Sequence, residues 1–150
     1  MMQGMDSDGR TILLVEDTED DVFFMMDTMK RAGLLNPLHV VGDGRKAIDY
    51  LNGNGGYSDR KRFPFPCLVL LDLKLPEYSG FEVLDWIRAQ AGMRQLPVVV
   101  LSGSEIVRDL SLAYQKGANS YVVKPPTREK LEALTKAVGE CWLREKVGPV

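Results

Sequence analysis

Apolar residues in this chain fall into short runs that alternate with segments of helical periodicity. Ile12-Leu13-Leu14-Val15, Leu68-Val69-Leu70-Leu71, Val98-Val99-Val100-Leu101 and Tyr121-Val122-Val123 are each closed by polar residues. Short apolar runs with polar punctuation read as strands buried on both faces. A further short strand, Leu38 to Val41, follows Pro37. Between the runs the spacing changes to three and four. Val22, Phe23, Met26 and Met29 predict one face of a helix from Glu19 to Ala32, stopped by Gly33. Gly42-Asp43-Gly44 turns the chain into a second helix reaching Leu51, with Ala47, Ile48 and Leu51 on one face. Ser79-Gly80-Phe81-Glu82 is a capping box that opens a third helix to about Ala91. A fourth runs from Glu105 to Lys116 and stops at Gly117. Thr127 caps the last, whose Leu131, Leu134, Val138 and Cys141 repeat at three and four. Asn52 to Pro66 reads as a long polar loop, rich in Gly, Pro and basic residues.

Five strands alternating with five helices predict an α/β fold, a (βα)5 doubly wound parallel sheet with right-handed crossovers and helices on both faces. One domain is expected over residues 11–143, after a leader at 1–10 without regular structure and before a tail at 144–150. If the strands are parallel, their carboxyl ends share one edge. Glu16, Asp17, Asp72, Ser102 and Lys124 stand at or just past those ends, so they converge on the crevice where open α/β sheets place ligands. Three carboxylates, a hydroxyl and an ammonium at one point suggest a metal-dependent phosphoryl site.

Composition narrows the field. With 45% apolar and 27% charged residues, the 150-residue chain has the make-up of an ordinary globular domain. A net charge of −2 gives no electrostatic case for a nucleic-acid or anionic-membrane partner. No apolar run approaches the ~20 residues of a membrane span, and Met1 to Arg10 lack the apolar stretch of a signal peptide. Cys67 and Cys141 fit no metal spacing; both are expected as reduced core thiols, which suits a cytoplasmic setting. The single histidine, His39, lies on the second strand away from the crevice and reads as a packing or surface residue. Met25, Met26 and Met29 read as core filler.

Four segments carry a family likeness together: Leu13-Leu14-Val15-Glu16-Asp17, Leu70-Leu71-Asp72-Leu73-Lys74-Leu75-Pro76, Leu101-Ser102-Gly103 and Tyr121-Val122-Val123-Lys124-Pro125. In this order, each at a strand end, they resemble the receiver domain of two-component response regulators over about residues 10–143. The loop ending Arg62-Phe63-Pro64-Phe65-Pro66, and Asp49-Tyr50-Leu51, are similar to the single-domain regulators of cyanobacterial-phytochrome type. The resemblance implies the flavodoxin-like strand order 2-1-3-4-5. It implies a signalling phosphoacceptor with no separate output domain, rather than an enzyme with an external substrate. Asp72 would be the phosphoacceptor, serving a sensor histidine kinase, and Lys124 would pair with a phosphoryl oxygen. Ser102 and Tyr121 would be the hydroxyl and aromatic of a switch. Mg²⁺ (or Mn²⁺) would be bound by Asp17, Asp72 and the Lys74 backbone carbonyl, with Glu16 acting through a water. Pro125 falls where the family has a cis peptide. The signal would pass to a downstream protein through the face of helix 4, strand 5 and helix 5. Trp142, near the end of the fifth helix, is expected either to anchor a homodimer through that face or to pack back onto the first helix.

Other functions are weighed on the same residues. A binding module that keeps the fold and signals without phosphorylation needs neither acid pair nor lysine. A phosphatase of the haloacid-dehalogenase type needs a second Asp two residues after the nucleophile, where Lys74 stands. Asp43-Gly44-Arg45-Lys46 lacks the spacing of a phosphate-binding P-loop. A flavin phosphate would meet Glu16 and Asp17 after the first strand.

Overall fold

The computed structural model describes residues 10–103, 106–124, 127, 129 and 130. Five strands form one parallel sheet: β1 Ile12–Val15, β2 Leu38–Val41, β3 Leu68–Asp72, β4 Val98–Ser102 and β5 Ser120–Val123. Their order is β2-β1-β3-β4-β5, as expected. The central three are buried at every position. That burial is why they read as unbroken apolar runs rather than as alternation. Four α-helices lie among the described residues: α1 Glu19–Arg31, α2 Gly44–Asn52, α3 Gly80–Ala89 and α4 Val107–Gln115. The fifth predicted helix, with Cys141 and Trp142, falls outside the described residues. At its start the Lys130 amide donates to Thr127 Oγ1 at 3.2 Å, the contact expected of a cap.

Two cores flank the sheet. Leu13, Val15, Val69, Leu71, Val98 and Val100 point to one, packed by α2, α3 and Ala113 of α4. Ile12, Leu14, Leu68, Leu70, Val99 and Leu101 point to the other, packed by α1. Helices on both faces make the sheet doubly wound.

The orientation of α1 corrects the sequence reading. Its buried face carries Met25, Thr28 and Met29, with Val22 packed alongside. Phe23 and Met26, expected inside, are 73% and 49% exposed. The helix bears two apolar stripes, and Val22, Met25, Met29 and Ala32 are spaced at three and four as well as the predicted set. Met25 and Met29 are core filler as expected, whereas Met26 is not.

The segment after α2 is not the plain polar loop that its composition suggested. Tyr50, buried at the end of α2, donates its hydroxyl to the Pro64 carbonyl at 2.8 Å. Rings of Tyr57 and Phe63 return onto Tyr50, with centroids 5.2–6.0 Å apart. His39 completes this cluster, 5.7 Å from both Tyr50 and Phe63, and so packs as predicted. Burial lowers its pKa. Arg60 donates to the carbonyls of Tyr50, Leu51 and Phe63 at 2.7–3.1 Å. A cation thus satisfies orphan carbonyls at the end of α2, where the helix dipole is negative.

A second arginine braces the segments that follow α3 and α4. Arg88 of α3 donates to the carbonyls of Met93, Arg94, Leu96 and Gly117, and to Asn119 Oδ1. Beside it Lys116 pairs with Asp85 at 2.7 Å. The C-terminal end of α4 is thereby tied to α3.

Cys67 is disulfide-bonded, contrary to the expectation of a reduced thiol. The chain's other cysteine, Cys141, lies outside the described residues. No helix among the described residues is long and apolar enough to cross a membrane.

Candidate functional site

Parallel pairing carries the predicted polar residues to one edge. Asp72 is the last residue of β3 and lies opposite Leu101, one residue before Ser102. Ser102 in turn is opposite Val123, one residue before Lys124. The Lys124 amide donates to the Ser102 carbonyl at 2.7 Å, and the Glu16 amide to Val41 at 3.0 Å. These bonds extend the sheet just past its strands and fix where the side chains leave it.

The side chains meet. Carboxylate oxygens of Glu16, Asp17 and Asp72 all lie within 4.8 Å of one another. Lys124 Nζ stands 2.7 Å from Glu16 Oε1, 2.9 Å from Asp21 Oδ2 and 3.5 Å from Asp72 Oδ1. Asp72 and Ser102 are only 7% and 2% exposed, whereas Asp17 is open to solvent. A crevice of about 670 Å³ opens above them, lined by Asp17, Asp21, Asp72, Lys74, Ser102 and Lys124 among others. Tyr121 does not line it. It is half-buried on β5 opposite Val100 and packs against the α2–α3 core. Pro125 lies outside the described residues.

The electrostatics follow from crowding acids in a partly dry place. Burial pushes the Asp72 carboxyl above the ordinary range and Asp17 adds to the rise, against the charge and hydrogen bond of Lys124 and a hydrogen bond from the Leu73 backbone. Burial also raises Glu16, opposed by its bond to Lys124 and helped by Asp72 and Asp21. Burial pulls Lys124 down, but its bonds to Glu16 and Asp21 and the charge of Asp72 outweigh that and raise it to about 12. The lysine stays charged, and the acids gain from any further cation. An all-oxygen donor set of clustered carboxylates suits a hard divalent ion that needs only one or two of them.

Two residues of the site escaped the sequence reading. Asp21 is one of three acids in the first turn of α1. Their excess was visible, but not that Asp21 alone would reach Lys124. Gly80, the first residue of α3, donates its amide to the Leu73 carbonyl at 2.8 Å. A Cβ there would collide with the Asp72 carbonyl oxygen and sit 2.7 Å from Leu73 Cα. Only glycine lets α3 approach the end of β3 so closely. Its place as the first residue of a capping-box helix, eight positions after Asp72, was the available signal. Gly80→Ala is expected to cost about 1–3 kcal/mol of stability through overpacking and to displace Asp72. Urea unfolding measures the first effect, and wild-type stability would contradict the close approach.

With this geometry in hand, the likenesses to known proteins are informative. Residues 12–136 match the response regulator receiver domain family. The chain is 38% identical over 152 residues to the probable methanogenesis regulatory protein FilR2 of Methanothrix harundinacea, covering 95% of this chain and 94% of that one. The bacteriophytochrome response regulator RtBRR superposes with a TM-score of 0.80 at 38% identity, over 93% of this chain and 84% of that one. The response regulator Rcp1 of Synechocystis, solved in an Mn²⁺-bound form, superposes with a TM-score of 0.73 at 31% identity, over 94% and 99% of the two chains. The acid pair after β1, the aspartate closing β3, the hydroxyl closing β4 and the lysine after β5 therefore occur in a chain that belongs to the response regulator receiver domain family of two-component signalling, among relatives of the phytochrome-regulator type.

Proposed function

We propose that this protein accepts a phosphoryl group on Asp72 from a sensor histidine kinase and passes the signal to a protein target through a change of its own surface. The observation that carries the reading is the position of Asp72. It closes a rigid central strand, nearly buried, within 4.8 Å of two further carboxylates and 3.5 Å from a charged lysine. An Asp72 carboxylate oxygen attacks phosphorus in line. The new O–P bond forms as the donor's bond to phosphorus breaks, and the leaving group departs with the electron pair. Lys124 supports the charge on an equatorial phosphoryl oxygen, and Ser102 donates its hydroxyl to another.

Asp17, Asp72 and the Lys74 backbone carbonyl would hold Mg²⁺ or Mn²⁺ directly, with Glu16 acting through a water. The ion's chemistry is to offset the repulsion between anionic nucleophile and anionic donor. Acetyl phosphate with Mg²⁺ tests the reading. Intact-mass analysis is expected to show one added phosphoryl group, lost when the metal is chelated; no labelling in millimolar Mg²⁺ would overturn it.

The partner surfaces follow. On α1 the exposed Phe23 and Met26 flank Val40 above Asp17 and Glu19, in a shallow groove beside the acid cluster. An apolar surface next to the acceptor suits a kinase that must bring its phosphohistidine to Asp72. The relatives named as phytochrome response regulators suggest a phytochrome-type kinase. On α4, Ile106, Val107, Leu110 and Tyr114 form an exposed apolar ladder. That ladder supports α4, β5 and the segment beyond as the signalling face, and a homodimer through it. Val107→Asp is expected to shift any dimer toward monomer in light scattering at micromolar concentration. A strict monomer with and without acetyl phosphate and Mg²⁺ would exclude the dimer.

A further inference from the structure

Lys124 is held by a carboxylate that the phosphoryl chemistry does not call for. An ammonium has three protons to donate, and Glu16, Asp21 and Asp72 surround it at 2.7, 2.9 and 3.5 Å. Glu16 and Asp72 belong to the acid cluster that suits a divalent ion, and Asp21 does not. Asp21 instead projects from the first turn of α1, and its Oδ2 accepts from Lys124 across 103 positions of sequence. When a cation engages Glu16 and Asp72, Asp21 is the anchor left to Lys124. It draws Nζ toward α1, while Asp72 sits at the longest of the three distances.

We infer that Asp21 is a positioning residue that tethers Lys124 in the resting protein and competes with the phosphoryl group for it; the inference rests on Asp72 being the phosphoacceptor. A phosphoryl group on Asp72 carries more negative charge and more acceptor oxygens than the carboxylate that now stands 3.5 Å from Nζ, and so attracts the ammonium more strongly. To meet these oxygens Nζ moves toward β3 and away from Asp21. A bond made in one state and weakened in the other shifts the balance by its own free energy. Asp21 thereby holds the unphosphorylated state and sets how readily the lysine is surrendered. The simplest alternative is that Asp21 merely complements the dipole of α1. Glu19 and Asp20 occupy the same turn and would serve that end equally.

The test is an equilibrium titration of the full chain with beryllium fluoride, a tetrahedral phosphoryl mimic, at fixed Mg²⁺ by calorimetry. Asp21→Asn is expected to bind it about two- to five-fold more tightly, the range of a half-exposed ion pair. Asp21→Glu, which restores the carboxylate, is expected to return the affinity toward wild type. Asp20→Asn removes the same charge from the same turn without touching Lys124 and is expected to leave the affinity unchanged. An Asp21→Asn affinity equal to or weaker than wild type, or an equal gain in Asp20→Asn, would overturn the tether. Failure of the wild type itself to bind the mimic would instead overturn the role of Asp72, and the tether with it.

Discussion

Asp72→Asn is expected to fold as the wild type does and to gain no phosphoryl group from acetyl phosphate and Mg²⁺. The carboxamide is nearly isosteric and can still accept from the Leu73 backbone. It lacks the anionic oxygen that attacks phosphorus. Loss of labelling should be complete, because no other carboxylate in the crevice combines Asp72's strand-end rigidity with its placement. Glu16 is drawn into its bond with Lys124, and Asp17 is open to solvent beyond the end of β1. Intact-mass analysis beside the wild type measures the outcome. Full labelling of the Asn variant would remove Asp72 from its role, and peptide mapping would name the replacement.

The second large effect is on stability. Two like charges ~4 Å apart repel by about 4 kcal/mol at an effective dielectric near 20, before relaxation and partial protonation. Three carboxylates lie within 4.8 Å of one another, and Lys124 offsets only part of their repulsion. Mg²⁺ in the millimolar range is therefore expected to raise the melting temperature by several degrees, and Asp17→Asn to blunt the rise. pH supplies an independent check. Burial raises the Glu16 and Asp72 carboxyls in the folded state, so the native protein binds protons that the unfolded chain, with carboxyls near pH 4, has already released. Their stabilising contribution is full below that value and lost as pH rises through the folded pKa values. In chelator, stability is thus expected to fall as pH rises toward neutrality, and Mg²⁺ to restore it there. A melting temperature indifferent to Mg²⁺ in a protein that takes up phosphate would contradict this account.

What the sequence revealed and what it concealed divide along physical lines. Strands buried on both faces are unbroken apolar runs, and parallel pairing delivers whatever follows them to one edge. Glu16, Asp17, Asp72, Ser102 and Lys124 could be placed for that reason alone. The rotation of α1 was hidden because Met25 and Met26 are adjacent and both stripes repeat at three and four; only packing against Ile12 and Leu14 chooses between them. Asp21 was hidden in a run of acids, where reach to Lys124 depends on that same rotation. The packing of 52–66 was hidden because it relies on single long-range contacts. Arg60 reaching the end of α2, and Tyr57 and Phe63 folding back onto Tyr50, leave no periodic trace.

The clamp formed by Arg88 has a mechanical meaning. With Gly117 gripped by the guanidinium and Lys116 paired to Asp85, one end of α4 is a fulcrum. The other end, at Ile106 and Val107, begins without a side-chain cap, is largely exposed and follows the crevice by a few residues. A nine-residue helix is about 13 Å long, so a tilt of about 10° about the fulcrum moves the far end by roughly 2 Å. A tilt of α4 about that fulcrum would sweep the Val107, Leu110 and Tyr114 ladder sideways, most at Val107 and least at Tyr114. A partner bound to the ladder would sense such a tilt most strongly at Val107.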